Sequence, residues 1–150
     1  MKKKNLLFSF LIVTGISAFA QQSTPTAAAQ IPANVKNTVT MLYPSATNVA
    51  WSQENGYFIP VFMNNGAQTK LLIDLKGARI HTSVKIAITE LPANISSYIT
   101  GNYPGKPISD VEKLTMFNNS TRYEAVVGQE DLIFDANGTF MKVAHGAMKQ

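Results

Sequence analysis

Cysteine is absent from this 150-residue chain. No disulfide can brace it, no thiolate can ligate a metal, and no cysteine can carry a lipid anchor, so the folded form has to stand on its hydrophobic core. Histidine is nearly as scarce. His81 and His145 are the only two, no His-x-x-x-His pair occurs, and no carboxylates cluster beside either, a pattern that excludes metal sites of the usual three- or four-ligand kinds. No serine stands in a nucleophile-elbow pattern, and the glycines fall singly at turns rather than in a phosphate loop. Glu130 and Asp131 are adjacent, but neighbours on a strand point apart and do not form an acid/base dyad. Neither catalysis nor a cofactor is expected.

A membrane-length apolar run is also missing. Residues 1–20 carry a basic end (Lys2, Lys3, Lys4), a short apolar run over 6–16 and the small-x-small triplet Ala18-Phe19-Ala20, the pattern of a cleavable secretory signal. The run is shorter than the roughly 20 residues a span needs. The mature chain is therefore expected to be periplasmic or secreted, without a stable membrane anchor. Most of the formal net charge of +4 belongs to this signal, because without those three lysines ten basic residues face nine acidic ones. Such a chain lacks the basic surface that nucleic acid requires. Residues 21–30 (QQSTPTAAAQ) are small and polar, and read as a leader without stable structure.

What the chain does have is an internal repeat. Ile31-Pro32-Ala33-Asn34 leads through Val35 and Val39 to Tyr43-Pro44, and sixty positions later Leu91-Pro92-Ala93-Asn94 leads through Ile95 and Ile99 to Tyr103-Pro104. A shared offset at both ends indicates duplication, with repeats at 31–90 and 91–150. Each half, at about 60 residues, would be marginal alone, so the two are expected to share a core.

Ile31, Val35, Val39 and Leu42 fall at helical spacing, which predicts a helix over 31–43 opened by Pro32 and stopped by Pro44. Alternation and turn signals then predict four strands: 47–52, closed by Glu54-Asn55-Gly56; 57–63, closed by Asn64-Asn65-Gly66; 67–75; and 78–85. The second copy repeats the order. Its helix stripe is Leu91, Ile95, Ile99 and Tyr103, and 135–138 (Asp-Ala-Asn-Gly) echoes 74–77 (Asp-Leu-Lys-Gly). Tyr123, Ala125 and Val127 match Tyr57, Ile59 and Val61 at an offset of 66. The four Asn-x-Ser/Thr triplets, at Asn94, Asn118, Asn119 and Asn137, are read as turn and helix-start chemistry. The expected fold is α+β: two tandem helix-plus-four-strand repeats forming one curved antiparallel sheet with both helices on one face.

The order Tyr43-Pro44, Val49-x-Trp51, Gly56-Tyr57, the Asp74-to-Gly77 turn, Leu91-Pro92 and Tyr103-Pro104 resembles the PepSY-like family of exported proteins, over residues 31–144. That family is similar in fold to the β-lactamase-inhibitor protein, which is built from tandem helix-plus-four-strand units. The resemblance implies a binding or restraining role in the cell envelope and attaches no catalytic residues.

With Tyr57, Ile59 and Val61 assigned to the helix side, alternation places Phe58, Pro60 and Phe62 on the uncovered face as a protein-binding row. Arg79 and His81, with Lys85, are expected to form a basic rim beside it, and Trp51 is expected in the core. The expected partner is a protein; a loop, the leader or a second copy of the chain is the cover otherwise considered for this face, and a small-ligand or peptide pocket between the repeats is the alternative function.

Overall fold

The computed structural model describes residues 24–25 and 30–144. The expected secretory signal, most of the leader and the tail beyond Ala144 lie outside the described residues.

The first helix, α1 (Ala33–Leu42), starts at Pro32 and buries Val35 and Val39 on the predicted stripe, with Ile31 just ahead of it. Leu42 departs from the expectation, being 48% exposed. The helix ends there, with the Tyr43 N–H bonded to the Val39 carbonyl at 2.8 Å. The Tyr43 ring takes the inward position instead and lies 5.1 Å from the Phe62 ring centre. The second helix, α2 (Ala93–Asn102), repeats this arrangement with Leu91, Ile95 and Ile99 buried and Tyr103 bonded to the Ile99 carbonyl.

Among the described residues, nine strands form one antiparallel sheet in sequence order. β1 (Thr24–Pro25) is followed by β2 (Thr47–Glu54), β3 (Tyr57–Asn64), β4 (Ala67–Ile73) and β5 (Arg79–Lys85) in the first half. β6 (Ile108–Met116), β7 (Thr121–Val127), β8 (Glu130–Asp135) and β9 (Phe140–Ala144) make the second half. β1 was not expected. Thr24 and Pro25 pair with Gln53 and Ser52, so part of the leader adds an edge strand through backbone bonds that need no apolar side chain. The halves join where β5 pairs with β6, from His81 opposite Met116 to Lys85 opposite Glu112.

The turns follow the local chemistry. Asn55-Gly56 and Asn65-Gly66 both adopt left-handed conformations at the two central positions, which suits two-residue hairpins because their twist matches that of the strands. At the β6–β7 turn the Asn118 side chain accepts bonds from the Ser120 N–H and hydroxyl, and Asn119 has φ +63°.

The duplicated Pro-Ala-Asn stretch has a physical role. Asp74 Oδ1 accepts the N–H groups of Lys76 and Ala78, and Asp135 Oδ1 accepts those of Asn137 and Thr139, which gives both halves the same folded turn. The asparagine at each helix start then reaches that turn, Asn34 Nδ2 donating to the Leu75 carbonyl at 3.4 Å and Asn94 Nδ2 to the Asn137 carbonyl at 3.1 Å. Gly77 and Gly138 have φ +86° and +81°, and a Cβ on either would stand 3.0 Å from Asn34 or Asn94. The motif therefore latches each helix to the turn between the third and fourth strands of its own half.

Two cores lie between helices and sheet. One contains Ile31, Val35, Val39, Phe58, Phe62, Leu71 and Ile73, with Trp51 packed partly buried against it. The other is built from α2 residues with Val111, Ala125, Val127, Leu132 and Phe134. Residues directly opposite in register share a face, and the ladder from Leu71 through Thr82 to Thr115 places both cores on the same side.

The expected facing of β3 is reversed. Phe58 and Phe62 are 4% and 3% exposed and pack under α1, and Pro60 between them is fully buried. Tyr57, Ile59 and Val61 take the opposite face. The stretch 57–63 is apolar on both sides, so alternation cannot choose, and a shift of one residue exchanges every side chain. The pairing gives the true correspondence between the halves. Phe58 opposes Ile73 and Tyr123 opposes Phe134, each partner standing just before its Asp turn. Phe58 is thus the counterpart of Tyr123, an offset of 65 (123 less 58) rather than 66.

Candidate functional site in the sheet face opposite the helices

The face away from both helices carries Ile59 and Val61 from β3, Lys70 and Leu72 from β4, and His81, Ser83 and Lys85 from β5. From the second half it carries Asp110, Glu112, Leu114 and Met116 of β6, Arg122, Glu124 and Val126 of β7, and Ile133 of β8, as the register requires. Its middle is polar and largely withdrawn from solvent.

His81 is 0% exposed, and neither ring nitrogen has a hydrogen-bond partner among the described residues. Burial, reinforced by the positive charges of Lys70, Arg79 and Arg122, lowers its pKa to about 4, so the ring is neutral near pH 7. It lies on the helix-free face, but as an interior side chain and not on a basic rim. Arg79 is half-buried, and its guanidinium donates to the Thr82 hydroxyl and to the Met116 carbonyl at 3.4 and 3.5 Å. It is tied into the sheet at the irregular end of β5. Of the residues expected at the site, Phe58, Pro60 and Phe62 belong to the buried interior and only His81 occupies the centre of this face.

The charged centre is built across the seam between halves. Lys70 Nζ donates to Glu112 Oε1 at 3.0 Å and lies 2.8 Å from Oε2. Lys85 Nζ pairs with Asp110 Oδ1 at 2.9 Å. Glu124 stands directly opposite Glu112 on the neighbouring strand, where like charges repel. It is 9% exposed, and its Oε2 has no hydrogen-bond partner among the described residues. Burial raises its pKa to about 7; Lys70 opposes that rise, while Glu112, Asp131 and Asp110 add to it. Lys70 is thus engaged with Glu112, leaving Glu124 as the unmatched carboxyl. Lys70, Asp110, Val111, Glu112, Glu124 and Val126 line a cavity of about 90 Å³ at this point.

The sequence had one signal for this site. Glu124 and Val126 stand where the second repeat diverges from the first, opposite Ile59 and Val61 once the offset is corrected. Nothing in the sequence joined them to Lys70, which meets Glu112 across 42 positions of chain through strand register alone. No group of three His, Cys, Asp or Glu side chains among the described residues is placed to hold a metal.

No protein-family profile matches the chain, and no curated protein matches it in sequence. Its fold has solved counterparts. A DUF2874 family protein from Bacteroides uniformis is 22% identical with a TM-score of 0.67, over 75% of this chain and 88% of the other. A provisionally periplasmic protein from Bacteroides eggerthii is 19% identical with a TM-score of 0.67, over 75% and 87%. A BLIP-like protein from Bacteroides fragilis is 22% identical with a TM-score of 0.63, over 78% and 89%. The chain has the α+β BLIP-like fold, with two helices on one side of an open antiparallel sheet.

Proposed function

We infer that this chain is a non-catalytic exported binding module that engages another envelope or secreted protein through the helix-free sheet face, to inhibit or regulate it. The observation that carries this reading is where the unmatched polar atoms gather. Both nitrogens of His81, the Ser83 hydroxyl and Glu124 Oε2 are buried without hydrogen-bond partners among the described residues, all on that one face. Each such group costs about 1–3 kcal/mol when left unpaired, and a partner that brings donors and acceptors to this face recovers part of that. The secretory signal pattern, the provisional periplasmic description of the Bacteroides eggerthii protein and the PepSY-like order of short motifs support an envelope setting. No helix among the described residues is long and apolar enough to cross a membrane.

The carrier reading rests on the cavity at the junction of the repeats. At about 90 Å³ it falls well below the roughly 300–1,000 Å³ of typical small-molecule sites, and it accommodates the end of a side chain rather than a metabolite. Glu124 has the raised pKa of a general base, but the side chains lining its cavity among the described residues include no serine, threonine or histidine to activate, which supports the binding reading.

Affinity capture tests the inference. Immobilised mature protein is exposed to the envelope fraction of its source cells, in parallel with a Val61→Asp/Met63→Asp variant that alters the apolar half of the helix-free face without entering either core. Specific partners should be recovered with the wild type and reduced at least about tenfold with the variant; equal recovery would count against this face.

A further inference from the structure

We propose that the cavity bounded by Lys70, Glu112 and Glu124 is a socket for a lysine side chain presented by the protein partner. The inference rests on the binding reading given above and specifies the chemistry that the face recognises. Among the charged groups at the cavity, two carboxylates are already matched, Glu112 by Lys70 at 2.8 Å and Asp110 by Lys85 at 2.9 Å. Glu124 is not matched. It is nine-tenths buried, lines the cavity, and holds Oε2 in the interior without a donor. The missing complement is therefore a cation that also donates hydrogen bonds.

A metal ion does not meet that description here, because the carboxylates do not converge as a ligand set. An arginine fork is best used by two coplanar acceptor oxygens. With Glu112 Oε2 held 2.8 Å from Lys70 Nζ, Glu124 Oε2 is the buried carboxylate oxygen left without a cation beside it at this cavity among the described residues, and one such acceptor suits the point donor of an ammonium. Val126 in the lining provides apolar surface for the methylene stem, which lysine buries while its head reaches a polar group. The raised affinity of Glu124 for a proton has the same origin: Lys70, engaged by Glu112, only partly offsets the cost of burial and the repulsion from Glu112.

The test uses the mature full-length chain, with Nα-acetyl-lysine amide as the probe, Nα-acetyl-norleucine amide as its uncharged counterpart and Nα-acetyl-arginine amide as the competing cation. The Glu124 side-chain carboxyl is followed by carbon-13 NMR and assigned by through-bond correlation to the Glu124 backbone. The lysine probe should give saturable shifts centred on Lys70, Glu112, Glu124 and Val126, and should move the Glu124 titration downward by about one pH unit, a tenfold change in proton affinity. Glu124→Gln should weaken probe binding by about tenfold or more, while norleucine amide should leave the site unchanged. No saturable shift with lysine, an equal response to norleucine, or unchanged affinity in Glu124→Gln would overturn the socket. Tighter binding of the arginine probe would overturn the assignment to lysine. The wild-type titration needs no variant, so a folding defect in Glu124→Gln would not blunt the test. Failure here would leave the capture experiment intact, since Met63 and the apolar half of the face are not involved; failure of the capture with a positive titration would instead confine recognition to the socket.

Discussion

The two halves present different chemistry on the same side of one sheet. In the first, β3 and β4 place Tyr57, Ile59, Val61, Lys70 and Leu72 on the helix-free face; in the second, the corresponding strands place Arg122, Glu124, Val126, Asp131 and Ile133 there. On the helix side the halves stay close in plan, with an asparagine latch, an Asp turn and a Tyr at each helix end. One difference there is how a gap is filled. Thr38 bonds the Gly77 carbonyl with its hydroxyl, while its counterpart Tyr98 stacks on Phe140 with ring centres 4.8 Å apart and meets Phe134 edge-on. What holds each helix down is alike in the two halves, whereas β3 faces outward with apolar side chains where β7 presents Arg122 and Glu124.

That contrast can be broken most severely at the register of β3. Phe62→Asp places a carboxylate in the core under α1 and should destabilise the protein by about 4 kcal/mol or more, whereas Val61→Asp, one residue away on the other face, should cost about 1 kcal/mol or less. Urea unfolding followed by the fluorescence of Trp51 measures both, and equal losses would show that the facing assigned here is wrong.

The next effect concerns Glu124. Its pKa in the folded protein, about 7, lies above the 4.5 of a free glutamate, so the native state holds the proton more tightly and stability falls as pH rises through the window from about 4.5 to 7. Glu124→Gln removes this loss and should be the more stable protein above pH 7, by on the order of 2 kcal/mol, with the gap closing toward pH 4.5. His81 acts in the opposite sense. Its folded pKa of about 4 lies below 6.5, so both proteins lose stability as pH falls from about 6.5 to 4. Wild type should thus show a nearly flat profile between about 4.5 and 6.5, where the two slopes oppose, and Glu124→Gln should rise steadily across it. Thermal unfolding midpoints over this range decide the matter.

The smallest effect sharpens the likeness of the halves. Asn94→Ala and Asn34→Ala each remove one latch and should cost about 0.5–1.5 kcal/mol. The loss should be larger at Asn94, whose bond is 3.1 Å against 3.4 Å, and denaturation midpoints of the two variants test that order.

Much of the fold was legible in the sequence because its signals were local. Proline and Tyr-Pro bounded the helices, Asn-Gly pairs fixed the hairpins, and the repeated offset gave the two-unit plan. The facing of β3 was not legible, since Tyr57 to Met63 is apolar at every position and Phe58 satisfies either side. Thr24-Pro25 gave no strand signal because its pairing is through the backbone. At the site, Glu124 could be singled out as a point of divergence, but its partnerless state depends on Lys70 being taken by Glu112, a choice made by register among three strands. His81 looked like a surface residue because nothing local in Arg79-Ile80-His81-Thr82 indicates burial.

The seam between the repeats also bears on assembly. β6 is the counterpart of β2, so the union of β5 with β6 is head-to-tail, and a head-to-tail contact does not close on itself. Further copies added by the same rule would lengthen the sheet without limit, each new β2 docking on the last strand of the copy before it. β1 stands in the way. It lies along β2, and Pro25 lacks an N–H to offer a further strand. Thr24 and Pro25 thereby cover the β2 edge on which such a further copy would dock.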